Sequence, residues 1–132
     1  MIVLDASAVV DYVLWIGAAP RIASRISRTG EAIHAPYLLD IEVAHVLRRY
    51  SLRGALSPER GAQALVDLAD LRLRRYPHLP LLPRIWELRA NLSAFDAAYV
   101  ALAEALDAPL VTSDAALARA PGHRARVEVF AG

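Results

Sequence analysis

The sequence predicts a three-layer α/β domain in which a mostly parallel central sheet is flanked by helices. Short apolar runs without alternation, IVL at residues 2–4 and LVT at 110–112, read as strands buried on both faces, as in a parallel sheet. Such runs alternate with longer segments of helical period, the signature of β-α units. The 132 residues are 56% hydrophobic and 22% charged, a composition and length able to bury a core and unlike a disordered chain. No linker, repeat or low-complexity stretch divides them, so one domain over residues 1–132 is expected.

The elements follow in order. After the strand at 2–4 comes a helix from about Ala6 to Leu14. Residues 21–29 place Ile22 and Ile26 four apart among arginines, an exposed helix ending at Gly30. AIHA at 32–35 is a second short strand, and Pro36 opens a helix that stops at Gly54. Ser57 as N-cap and Pro58 at the first helical position begin the next. RLRRYPHLP (72–80) is a basic, Pro-bounded strand leading to the surface, LLPRIWELRANL (81–92) is helical, and SAFDAAYVALAEAL (93–106) is a further helix. DAP then turns into LVT, and VEVF (127–130) alternates as a final strand.

Composition removes several classes of function. The net charge of +1 creates no global field toward nucleic acid or an anionic membrane, so such contacts must be local. All fifteen basic residues are Arg. The absence of Cys excludes disulfides, thiolate zinc sites and a Cys nucleophile. The longest charge-free run, YVLWIGAAP, is short of the roughly 20 residues of a membrane helix, and Asp5 and Asp11 interrupt any signal-peptide pattern. A soluble, cytoplasmic protein is expected.

In a parallel sheet, ligands bind outside the carboxyl ends of the strands. Four acids fall there: Asp5 after the first strand, Glu42 in the second turn of the helix after Pro36, Asp96 in the first turn after Ser93, and Asp114 after LVTS. Asp96 also completes S-x-x-D and serves equally as a cap, although it shares a stripe with Tyr99, Val100 and Ala103, the face expected against the sheet. Asp114 serves equally as a turn residue. Glu42 borders the apolar face near Leu38 and Val46, whereas Asp40 lies on the other side as a helix-start or surface acid. Asp5, between Leu4 and Ala6, has no cap or turn role in the pattern. Four converging carboxylates repel and take up protons unless a cation joins them. All-oxygen ligation favours Mg²⁺, with Mn²⁺ as substitute, over zinc. Sites of this kind serve phosphate chemistry.

Other acid-site families fit poorly. Receiver domains and aspartate-nucleophile phosphatases need a Lys that this chain lacks, and the latter need D-x-D where position 7 is Ser. No nucleophile elbow or P-loop is present.

IVLDASA, APYLLDIEVAHVLRR and LSAFDAAYVALAEALDAPLVTSD, in this order and spacing, closely resemble the PIN-domain nucleases, and among them the VapC-type ribonuclease toxins of bacterial toxin-antitoxin pairs. The resemblance covers essentially the whole chain. It implies a PIN-like fold, an acidic quartet of Asp5, Glu42, Asp96 and Asp114 as catalytic and metal-binding residues with Asp5 and Asp96 as principal ligands, and supporting hydrogen bonds from Ser7 and Thr112. It further implies a Mg²⁺-dependent endoribonuclease that forms a homodimer and is held inactive by a cognate VapB-like antitoxin.

RNA approaching an acidic site calls for a basic rim. The candidates are Arg48, Arg49 and Arg53 after Glu42, and Arg72, Arg74 and Arg75 in RLRRYPH, with Tyr50 or Tyr76 for stacking. Trp86 is expected in the core or at a dimer interface, and His34, His45, His78 and His123 show no ligand spacing. The alternative function is a non-catalytic PIN fold that binds RNA or protein around a structural metal.

Overall fold

A computed structural model describes residues 1–131, apart from the side chain of Thr29. Five strands form one sheet: β1 (Ile2–Leu4), β2 (Ile33–Pro36), β3 (Leu73–Tyr76), β4 (Leu110–Thr112) and β5 (Val127–Val129). Their order is β3-β2-β1-β4-β5 and every pairing is parallel. β1 is therefore central, and all its residues are buried, as an unbroken apolar run requires.

Helices α1 (Ala6–Leu14), α2 (Ala19–Ser27), α3 (Leu38–Leu52), α4 (Pro58–Asp70), α5 (Leu82–Glu87), α6 (Ala94–Leu106) and α7 (Ala115–Arg119) flank the sheet. α1 packs on α2, α3 and α4, whereas α6 packs on α5 and against β1, β2 and β4. Residues 97–103 of α6 are all buried, which explains why small residues alternate with Tyr99, Val100 and Leu102: the helix lies flat on the sheet.

The structure corrects several expectations. Pro36 ends β2 instead of opening a helix; it stands opposite Tyr76, and β1 pairs with β2 only at Ile33 and His34, so the strand end tolerates its missing N–H. The helix at 21–29 starts at Ala19, with Pro20 in its first turn, and ends in a 3₁₀ turn over Arg28–Gly30. It is not wholly exposed, because Ile22 and Arg25 are buried. The segment 81–92 is helical only as far as Glu87. α7 is an additional helix, and Trp86 is 67% exposed and so outside the core. Among the described residues no helix is long and apolar enough to cross a membrane.

Candidate active site

Each acid reaches the carboxyl edge of the sheet by a different local device. Asp5 is extended at the end of β1 and caps α1, its Oδ1 accepting from the Ala8 N–H at 3.0 Å. The cap role absent from the sequence pattern is thus real, and it fixes the side chain instead of replacing a function for it. Ser7 Oγ donates to the same oxygen at 2.7 Å, and Thr112 Oγ1 donates to Oδ2 at 2.5 Å. A carboxylate offers about four acceptor positions. Three are filled, which leaves one on Oδ2.

Ser7 and Thr112 form a bridge between the first turn of α1 and the end of β4. Their hydroxyls are 3.2 Å apart, the Ser113 N–H donates to Ser7 Oγ at 3.0 Å, and the Asp114 N–H donates to Thr112 Oγ1 at 2.9 Å. Asp114 caps α7, its Oδ1 accepting from the Ala116 N–H. Asp11, one turn after Ser7, accepts from Ser113 Oγ at 2.9 Å and steadies the same loop. Its role went unread in the sequence, although the spacing of Ser7 and Asp11 places both on one helix face.

Asp96 lies in the first turn of α6, where Ser93 Oγ accepts from its N–H at 3.1 Å. Glu42, on α3, accepts a 2.6 Å hydrogen bond from the hydroxyl of Tyr99, whose ring is buried in α6. Tyr99 was legible only as part of an apolar stripe. Its hydroxyl is the polar end of a core residue, satisfied by an acid 57 positions earlier in the chain.

The electrostatics tie these groups together. Burial, chiefly, holds Asp5 above the usual carboxylate range, against the lowering effect of its hydrogen bonds, and the charge of Asp96 adds to the rise. Glu42 is raised by burial, then by Asp96 and Asp5, with the Tyr99 hydrogen bond opposing. Asp96 is raised by burial and by Asp114. The Tyr99 hydroxyl is pushed upward by burial and by its bond to Glu42. Asp96 thus lies within electrostatic reach of Asp5, Glu42 and Asp114, the other three acids predicted from sequence. Among the described residues, no group of three or more acids or histidines stands close enough together to hold a metal ion as placed.

The basic candidates separate. Arg49 lines a groove of about 440 Å³ beside Glu42. Arg75 instead forms a two-pronged pair with Asp40 at 2.7 and 2.9 Å, which also accounts for Asp40. Arg74 lies over the Tyr76 ring, and Tyr76 bonds His34 Nδ1 at 2.6 Å, so that ring is engaged within the fold. Arg48, Arg53 and Arg72 are exposed.

A parallel α/β sheet with carboxylates gathered at its carboxyl edge defines the class, and the PIN-domain family model matches residues 2–123: the chain belongs to the PIN-domain family. Within that family it is similar to the VapC proteins. It is 41% identical over 131 residues to Ribonuclease VapC12 of Mycobacterium tuberculosis, covering 99% of this chain and 100% of that one. It is 47% identical over 114 residues to Ribonuclease VapC9 of the same organism, covering 86% of each chain. The crystal structure of VapBC2 from Rickettsia felis, bound to a DNA fragment from their promoter, superposes with a TM-score of 0.73 at 16% identity over 98% of this chain and 99% of that one. That likeness concerns the fold.

Proposed function

We propose that this protein is a Mg²⁺-dependent endoribonuclease and the toxin of a VapBC-type pair, hydrolysing RNA phosphodiesters at Asp5, Glu42, Asp96 and Asp114. The observation that carries the reading is the placement of Asp5, Glu42 and Asp96 with no arginine partner among the described residues, each raised first by burial and further by a neighbouring carboxylate, a charge conflict that a divalent cation relieves. The all-oxygen donor set fits a hard cation such as Mg²⁺ or Mn²⁺. Asp5 and Asp96 would hold it, with Glu42 and Asp114 directly or through water. When bound, the cation supplies an activated water and neutralises charge on the phosphate oxygens.

The remaining work falls to the chain itself. Ser7, Thr112 and the Ala8 N–H hold Asp5 in one orientation, leaving one acceptor position on Oδ2 for the site. Tyr99 holds Glu42 through Oε1 and leaves Oε2 free. Fixing acids in this way lowers the reorganisation needed at the reaction step. The names of the relatives support RNA as substrate, and the VapBC structure supports a VapB-like antitoxin as partner. A homodimer and a cytoplasmic location belong to the same proposal.

Purified protein, freed of any partner, should cut total bacterial RNA into discrete fragments with Mg²⁺ or Mn²⁺ and not with EDTA. Asp5→Asn and Asp96→Asn should each lower the rate by about 10²- to 10³-fold or more while melting cooperatively. Silence of the wild type with either metal, while RNA still binds, would replace the enzyme with a non-catalytic RNA-binding module.

A further inference from the structure

Two of the acids are each preceded by an exposed apolar side chain. Ile41, before Glu42, is 75% exposed, and Phe95, before Asp96, is 62% exposed. Successive helical residues are turned by about 100°, so a carboxylate aimed at the sheet edge leaves its predecessor aimed beside it. Here both predecessors wall the same groove, together with Val46, His45 and Arg49. The groove thus continues directly from Glu42.

Its chemistry is mixed in a particular way. Two other rings are already covered: the Arg89 guanidinium lies 4.4 Å over Trp86, and that of Arg74 5.7 Å over Tyr76. Among the described residues no guanidinium or ring covers Phe95. Arg25, Arg75 and Arg84 are each held by a carboxylate, whereas among the described residues Arg49 is in no ion pair. Arg49 lies seven residues after Glu42 on α3, about 10 Å further along the axis. An open aromatic face and an unpaired guanidinium on either side of a carboxylate site match a base and a phosphate of one strand.

We infer that this groove is a nucleotide subsite for single-stranded RNA, in which Phe95 stacks a base beside the cleaved phosphodiester while Arg49, with His45, holds a flanking phosphate. The inference rests on the ribonuclease reading above and adds to it the side chains that seat one nucleotide, since splayed bases stack on aromatic side chains. Ile41 and Val46 form the apolar wall opposite water.

The test is steady-state cleavage, with Mg²⁺, of a short unpaired oligoribonucleotide spanning a site mapped with the wild type. Phe95→Ala and Phe95→Leu should each raise KM by about tenfold, the scale of one lost base stack, and Phe95→Trp should restore it. Arg49→Ala should raise KM and flatten its dependence on salt. Trp86→Ala, an equally exposed ring outside the groove, should leave KM unchanged. Unchanged KM in Phe95→Ala and Phe95→Leu, with cleavage intact, overturns the subsite and leaves the ribonuclease standing. The same unchanged KM accompanied by weakened binding of a co-expressed antitoxin would assign the groove to a protein segment and equally overturn it. Absence of wild-type cleavage removes the ribonuclease reading itself.

Discussion

Glu104 and Asp5 are both acids drawn largely out of solvent, Asp5 the more deeply, yet the fold treats them in opposite ways. Glu104 receives Arg84 at 2.7 and 3.1 Å and the Arg124 N–H at 2.7 Å, and the Arg84 hydrogen bond above all holds its carboxyl below the usual range. Glu128 is likewise lowered by Arg25, which also pairs with Glu31. Among the described residues Asp5, Glu42 and Asp96 are in no ion pair with an arginine, and they are raised. Where charge serves the fold, this chain supplies the counter-ion from its own side chains. At the carboxyl edge of the sheet it supplies only hydroxyls and backbone N–H groups, and the negative charge remains available.

Removing a counter-ion should have the largest effect. Arg84→Ala strands Glu104, and breaking such a pair, discounted because Arg84 is partly exposed, costs about 2–3 kcal/mol, visible as a lower urea midpoint with unchanged slope. Asp5→Asn should show no such loss in metal-free protein, and an equal loss there would erase the distinction between the two regions. Next in size is Tyr99→Phe, which frees Glu42 without emptying the core. It should lower metal affinity or RNA cleavage by about tenfold, as loss of a partner that orients a ligand does, and isothermal titration with Mn²⁺ would separate the two.

The smallest effect sharpens the comparison through pH. Groups raised in the folded state contribute stability that is fully present below their ordinary values and lost as pH rises through the raised ones. Asp5, Glu42 and Asp96 therefore favour the metal-free fold at acid pH, whereas Glu104 and Glu128, being lowered, withdraw support as pH falls. In metal-free protein Asp5→Asn should melt a few degrees above wild type near pH 8, with the gain shrinking toward about pH 5. Calorimetry across that range would show it. A gain that does not depend on pH would mean that the carboxylate charge is already neutralised.

The candidate acids were legible because strand ends and helix starts are local patterns: IVLD, SAFD and VTSD each announce an acid at a boundary. The order of elements was legible for the same reason. Partnerships were not. Arg25 reads as one arginine on an exposed helix until β5 carries Glu128 beside it from 103 positions away. Tyr99 on α6 and Glu42 on α3 meet across 57 positions, and Asp40 and Arg75 meet across 35. α7 was missed because five residues capped by Asp114 carry too little periodicity to separate from a turn. Pro36 misled because proline suits a helix start and a strand end alike.

The bridge from Thr112 to Asp5 spans 107 positions and joins the central strand to one made much later. At about 5–20 residues per second, ribosomes need roughly 5–20 s to pass from the first residue to the second. During that interval the nascent polypeptide holds Asp5 and Glu42 but neither Thr112 nor Asp114. Any transcript broken, or any translation halted, before codon 110 yields a fragment without β4 and so without a completed edge. The topology thus delays assembly of the acidic centre until β4 has been made.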